Sequence, residues 1–183
     1  MILNKTAILL ISLLSVLMGQ WPRLALDEET DEPMLLGISH RSDYETIESF
    51  KVWFNEEYES YVIDEEPLAT LSQIDEDISI ECFMGTWCND SRREVPRLYK
   101  ILDSLHFNLN QFQMISVDRD RISPGEEQKG KNVHHVPTII FYKGKDEIGR
   151  IIESPVGTLE EDIMDILIGN PPTPNYSDQE EEN

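Results

Sequence analysis

Positive charge is scarce in this chain. Fifteen lysines and arginines stand against 36 aspartates and glutamates, a formal charge of −21 over 183 residues. So acidic a surface argues against nucleic-acid binding and against docking on anionic lipid. Cysteine is scarcer still, with Cys82 and Cys88 alone. Two thiols exclude a disulfide-stapled scaffold and a four-thiolate zinc site. They leave a reactive thiol, a single bridge or two inert residues. A long apolar run is missing as well, because the one continuous stretch, at the N-terminus, falls short of the ~20 residues a spanning helix needs. Internal repeats are absent. What remains, 39% apolar and 28% charged residues, is the composition of a soluble globular domain with extensions.

Residues 1–19 read as a secretory signal peptide. Lys5 supplies the positive start, Ala7 to Met18 the apolar segment, and Gly19 the small residue before cleavage, although Leu17 fits a small-x-small site poorly. The alternative is an uncleaved anchor. Cleavage is the expectation, which makes the protein exported, periplasmic or extracellular, with no stable membrane span afterwards. Such a compartment is oxidising, so thiol–disulfide chemistry is meaningful there.

Residues 20–39 are polar and acidic and are expected to be a flexible lead-in. Residues 40–64 form an added N-terminal helix, capped by Ser42 or Asp43. In it Ile47, Phe50, Trp53, Phe54, Tyr58 and Tyr61 recur at three- and four-residue spacing, as one buried face requires. A short helix is expected over 67–74. Residues 170–183 lack core-forming side chains and are expected to be a disordered acidic tail.

Between these lies the stretch ISIECFMGTWCNDSRREVP, residues 78–96. An apolar run short enough for a buried strand breaks at Gly85-Thr86 and shows Trp87-Cys88. It then restarts through Asn89-Asp90-Ser91, residue types that cap helices, with Ser91 and Glu94 spaced as a capping box. A cysteine at a helix N-terminus meets unpaired N–H groups and a partial positive charge, which favour thiolate over thiol. Arg92 and Arg93 add to that charge and Asp90 opposes it.

Trp87-Cys88-Asn89-Asp90-Ser91 resembles the thioredoxin-family segment Trp-Cys-x-x-Cys, with serine in place of the second cysteine. Pro96 falls where that family carries the proline of its active-site helix. Val136-Pro137-Thr138, followed by IIFYKGKDEIGRI, resembles its cis-proline loop and final hairpin, and Val156-Gly157-Thr158-Leu159 its turn into the last helix. The resemblance implies an α/β fold, a thioredoxin-like three-layer α/β/α sandwich, spanning residues 65–169. It also implies thiol–disulfide exchange or isomerisation through one sulfur, without a cofactor, on protein thiols and disulfides or a small thiol.

Cys88 is the candidate nucleophile. Ser91 cannot close an intramolecular disulfide, and serves either as a hydrogen-bond donor to the sulfur or as a helix cap. Cys82 stands where the family has a buried acid; it is a buried hydrophobe or a resolving thiol. Trp87, Val136 and Pro137 are the substrate-binding candidates, Val136 by β-strand addition to an extended partner. No metal site is expected, since His134 and His135, if in a strand, point to opposite faces. The competing function is a non-catalytic module that binds extended polypeptide at the cis-proline groove.

Overall fold

The computed structural model describes residues 23–69, 74 and 77–177, so the expected signal peptide lies outside the described residues. Its strands are β1 (Arg23–Leu26), β2 (Pro33–Ser39), β3 (Ile78–Met84), β4 (Phe112–Ser116), β5 (Thr138–Lys143) and β6 (Asp146–Ile152). Its helices are α1 (Arg41–Thr46), α2 (Glu48–Ser60), α3 (Glu65–Leu68), α4 (Asn89–Ser104) and α5 (Leu159–Leu167). The strands form one mixed sheet in the order β1-β2-β4-β3-β5-β6. Only β3 and β4 run parallel; the other pairs are antiparallel.

Alternation along the strands sorts two cores. Ile78, Ile80, Cys82 and Met84 of β3 join Ile139 and Phe141 on one face, under Val95, Leu98, Ile101 and Leu102 of α4 and Ile163 and Ile166 of α5. Phe83, Ile115, Val117, Val133, Val136 and Ile140 make the smaller core on the other face. Residues 117–137, a succession of turns, supply its outer layer.

The lead-in is not flexible where it is described. Residues 23–39 hold β1 and β2, and β2 pairs with β4 through Gly37↔Ser116 to Ser39↔Met114. Apolar Leu35, Leu36 and Ile38 give this acidic segment a strand to bury, and Leu35 is 1% exposed. Gly37, at φ 94, divides the half of β2 that pairs with β1 from the half that pairs with β4, a backbone conformation that suits glycine. The expected single helix over 40–64 is two, α1 and α2, separated at Ile47, whose backbone is extended. His40 caps α1 in a reciprocal box with Asp43. Of the short helix expected over 67–74, residues 70–73 lie outside the described residues; a helical turn, α3, runs over Glu65–Leu68, capped by Asp64.

The aromatic stripe of α2 is core. Phe54 stacks on Tyr44 at 5.8 Å and meets Tyr99 of α4 edge-on at 5.8 Å. Polar ties keep these helices in register with α4. Arg41 and Tyr58 both donate to Asp103, at 2.5 and 2.6 Å, and Arg97 pairs with Glu57 at 2.6 Å. The added helices therefore fix the element whose first turn carries the cysteine.

The tail is corrected for residues 170–177. Asn175 donates to the Ser154 carbonyl at 2.9 Å, and the Tyr176 ring stacks on His135 at 4.2 Å. A tyrosine and an asparagine are enough to dock a segment that composition marks as disordered. Residues 178–183 lie outside the described residues.

Candidate functional site

Cys88 is the N-cap of α4, in extended conformation (φ −89, ψ 127). Its own N–H donates to the Gly85 carbonyl at 2.9 Å, and its carbonyl accepts from Arg92 N–H at 3.0 Å. This turn after β3 brings the half-buried thiol to the Val136 carbonyl, to which it donates at 3.1 Å. The Val136–Pro137 peptide bond is cis. Cys88, Trp87, Val136 and Pro137 are therefore brought together, although 48 residues separate the two halves.

Ser91 is fully buried and does not form the expected box with Glu94. Its hydroxyl accepts from Gly85 N–H at 3.2 Å, which ties the first turn of α4 back to the end of β3. Glu94 instead pairs with Arg93 at 2.6 Å. The helix starts three residues earlier than a Ser91 cap would set it, so Ser91 lies inside it.

Cys82 joins the other core. It is fully buried beneath α4, on the face of β3 opposite Phe83, while Cys88 packs with the Phe83 cluster. Burial pushes its thiol well above the ordinary range, because an apolar surrounding disfavours the charged form. Both cysteines are free. The hydrophobe reading fits this placement and a resolving role does not.

His134 and His135 stand in the irregular stretch before β5, not in a strand. His135 Nδ1 lies 3.0 Å from a Glu153 carboxylate oxygen, and its ring carries Tyr176.

The arginines expected to face the sulfur are engaged elsewhere. Arg92 donates to the Thr86 carbonyl at 2.5 Å and lies 3.8 Å from Glu32; Arg93 pairs with Asp90 at 2.8 Å. Sequence reasoning missed the cation that does stand beside the site, Arg119. Its guanidinium lies 5.0 Å from the Trp87 ring centre. Buried Asp27 holds it through two bonds of 2.8 and 2.7 Å, and Glu29 through a third contact of 2.8 Å. That guanidinium holds the Asp27 carboxyl far below the usual carboxylate range. The VDRD run at 117–120 carried no marker of this pairing, because its partner lies in a segment that reads as flexible.

No family model matches the chain, and no curated protein matches it. Among solved structures the chain is similar to a thioredoxin from Fasciola hepatica, at 21% identity over 46% of this chain and 74% of that one, TM-score 0.31. It is also similar to thioredoxin O2 from Arabidopsis thaliana in its oxidised state, at 22% identity over 48% and 72%, TM-score 0.32. Mitochondrial thioredoxin 3 from Saccharomyces cerevisiae matches at 22% identity over 52% and 86%, TM-score 0.32. The chain's own strand order, the cysteine at the start of α4 and the cis bond facing it make this a thioredoxin-like α/β fold.

Proposed function

We propose that this protein carries out thiol–disulfide exchange through Cys88 alone, by way of mixed disulfides. The observation that carries the reading is the half-buried Cys88 thiol at 3.1 Å from the Val136 carbonyl, beside the backbone that an extended partner would pair with. Cys88 gives its proton to water, and its thiolate attacks one sulfur of a partner disulfide. The new Cys88–sulfur bond forms as the partner's bond breaks, and the electron pair leaves on the second sulfur, which takes up a proton. Ser91 has no sulfur to resolve the product, and Cys82 lies in the other core. A second thiolate, from a protein or a small thiol, therefore attacks the mixed disulfide and releases Cys88. In this way the chain exchanges or isomerises bridges without storing an internal one. The N-terminal apolar segment supports an exported protein as the setting for this exchange, and N-terminal sequencing of protein from its native compartment tests that.

The experiment is mass spectrometry of the reduced full chain treated with an oxidised disulfide peptide. One adduct at Cys88, released by added thiol and absent in Cys88→Ser, is the expected result. An intact Cys88 with the peptide bound non-covalently, and equally well by Cys88→Ala, supports the non-catalytic module instead.

A further inference from the structure

The rim of the cysteine site contains a cation that neither its helix nor the cis-proline loop supplies. Arg119 follows the end of β4 and approaches Trp87, the residue before Cys88, at 5.0 Å. The indole is held from other sides as well. Its Nε1–H donates to the Val117 carbonyl at 3.0 Å, and it lies so close to Gly85 that a Cβ there would fall 2.5 Å from Cε2. Arg119 is fixed by the turn between β1 and β2, the hairpin that lies beside β4. There Asp27 is 2% exposed, and its carboxylate also accepts from Glu29 N–H at 3.1 Å and Thr30 Oγ1–H at 3.0 Å. A guanidinium carries five N–H donors in a rigid fork. Asp27 and Glu29 engage three of them, and the side chain keeps 33% of its surface exposed.

We propose that Arg119 is a positioning and specificity residue for Cys88. It holds the Trp87 ring and places a positive charge at the rim, favouring thiols and disulfides that carry a carboxylate near the sulfur. The inference rests on the exchange reading above. The chain carries a formal charge of −21, so an anionic partner meets net repulsion as it approaches. Asp27 and Glu29 already neutralise Arg119, but Glu29 is 67% exposed, so a partner's carboxylate can take its place on the guanidinium where the sulfurs must meet. The turn that holds Arg119 belongs to the hairpin added ahead of the helices, which gives that hairpin a part in the site.

The test compares alkylation of Cys88 in the reduced full chain by iodoacetate, an anion, and by neutral iodoacetamide, with the adduct located by mass spectrometry. Arg119→Gln is expected to lower the iodoacetate-to-iodoacetamide rate ratio about threefold at low salt, with the effect fading in 1 M salt. Arg119→Lys keeps the ratio. Exposed Glu29→Gln, which threatens the fold least, raises it up to about twofold. A purely structural Arg119 would lower both rates together, and an unchanged ratio in Arg119→Gln and Glu29→Gln overturns the proposal. If Cys88 of the unsubstituted chain reacts with neither reagent, the exchange reading and this inference fall together.

Discussion

Replacing Ser91 by alanine should destabilise the protein although serine is the poorer helix former. The Ser91 hydroxyl is the acceptor for Gly85 N–H at 3.2 Å, and both groups are buried. Alanine leaves that N–H without a partner and without water, at a cost of about 1–3 kcal/mol. Against this stands a gain in helix propensity of roughly 0.5 kcal/mol. The net loss is about 0.5–2.5 kcal/mol, equivalent to a fall in Tm of roughly 1–10 °C for a chain of this size. Urea unfolding and calorimetry of the full chain read it directly, with the midpoint falling and the slope unchanged. Ser42→Ala is the control: that serine is exposed in the first turn of α1 and should gain propensity without losing a buried bond. If Ser91→Ala matches or exceeds the wild type in stability, the hydroxyl is only a helix residue, and its tie to Gly85 does not hold the turn before Cys88.

Further outcomes follow from the same contacts. Tyr44 OH lies 2.6 Å from Ser39 Oγ and 2.7 Å from Ser116 Oγ in the core; Tyr44→Phe should lower stability by about 1–2 kcal/mol in urea unfolding. A loss below about 0.5 kcal/mol would mean the two serines satisfy each other through their 3.2 Å contact. Gly85→Ala puts a methyl into the Trp87 ring, so the indole must move. A shift in tryptophan emission with little loss of secondary structure is expected, and an unchanged spectrum counts against the close approach. Asp27 has a depressed folded pKa, so the unfolded state binds more protons and its contribution rises with pH. That contribution is complete above the unfolded value near pH 4 and drains as pH falls below it. The Tm difference between wild type and Asp27→Asn should therefore be constant from pH 5 to 7 and shrink toward pH 2. A constant difference down to pH 2 would show that the Arg119 pairing does not tie Asp27 to proton binding.

Much of the fold was legible because local signals agreed with one another. The β3 run and the break at Gly85 lie where patterning puts them, and the hairpin around Gly144 and helix α5 lie where the resemblance puts them. The two ends misled for one physical reason. Composition measures how much apolar surface a segment offers, not whether a neighbour is waiting for it. Leu35 and Tyr176 are few, but β4 and His135 are there to receive them. Ser91 misled differently: its residue type suits a cap, yet the turn that precedes it made Cys88 the cap and left the Ser91 hydroxyl to face Gly85.

The sequence by itself determined the buried strand β3 and the helix that follows it, the position of one cysteine at their joint, and the absence of a second sulfur three residues on. Those depend on contacts near in the chain and on side-chain chemistry. Only the tertiary structure decided what faces that cysteine. Val136 comes to it from 48 residues away, Cys82 is turned into the opposite core by strand alternation, and Arg119 reaches the rim because Asp27, 92 residues earlier, holds it there. Charge pairs between distant segments leave no periodicity to read, since either partner alone looks like ordinary solvated surface.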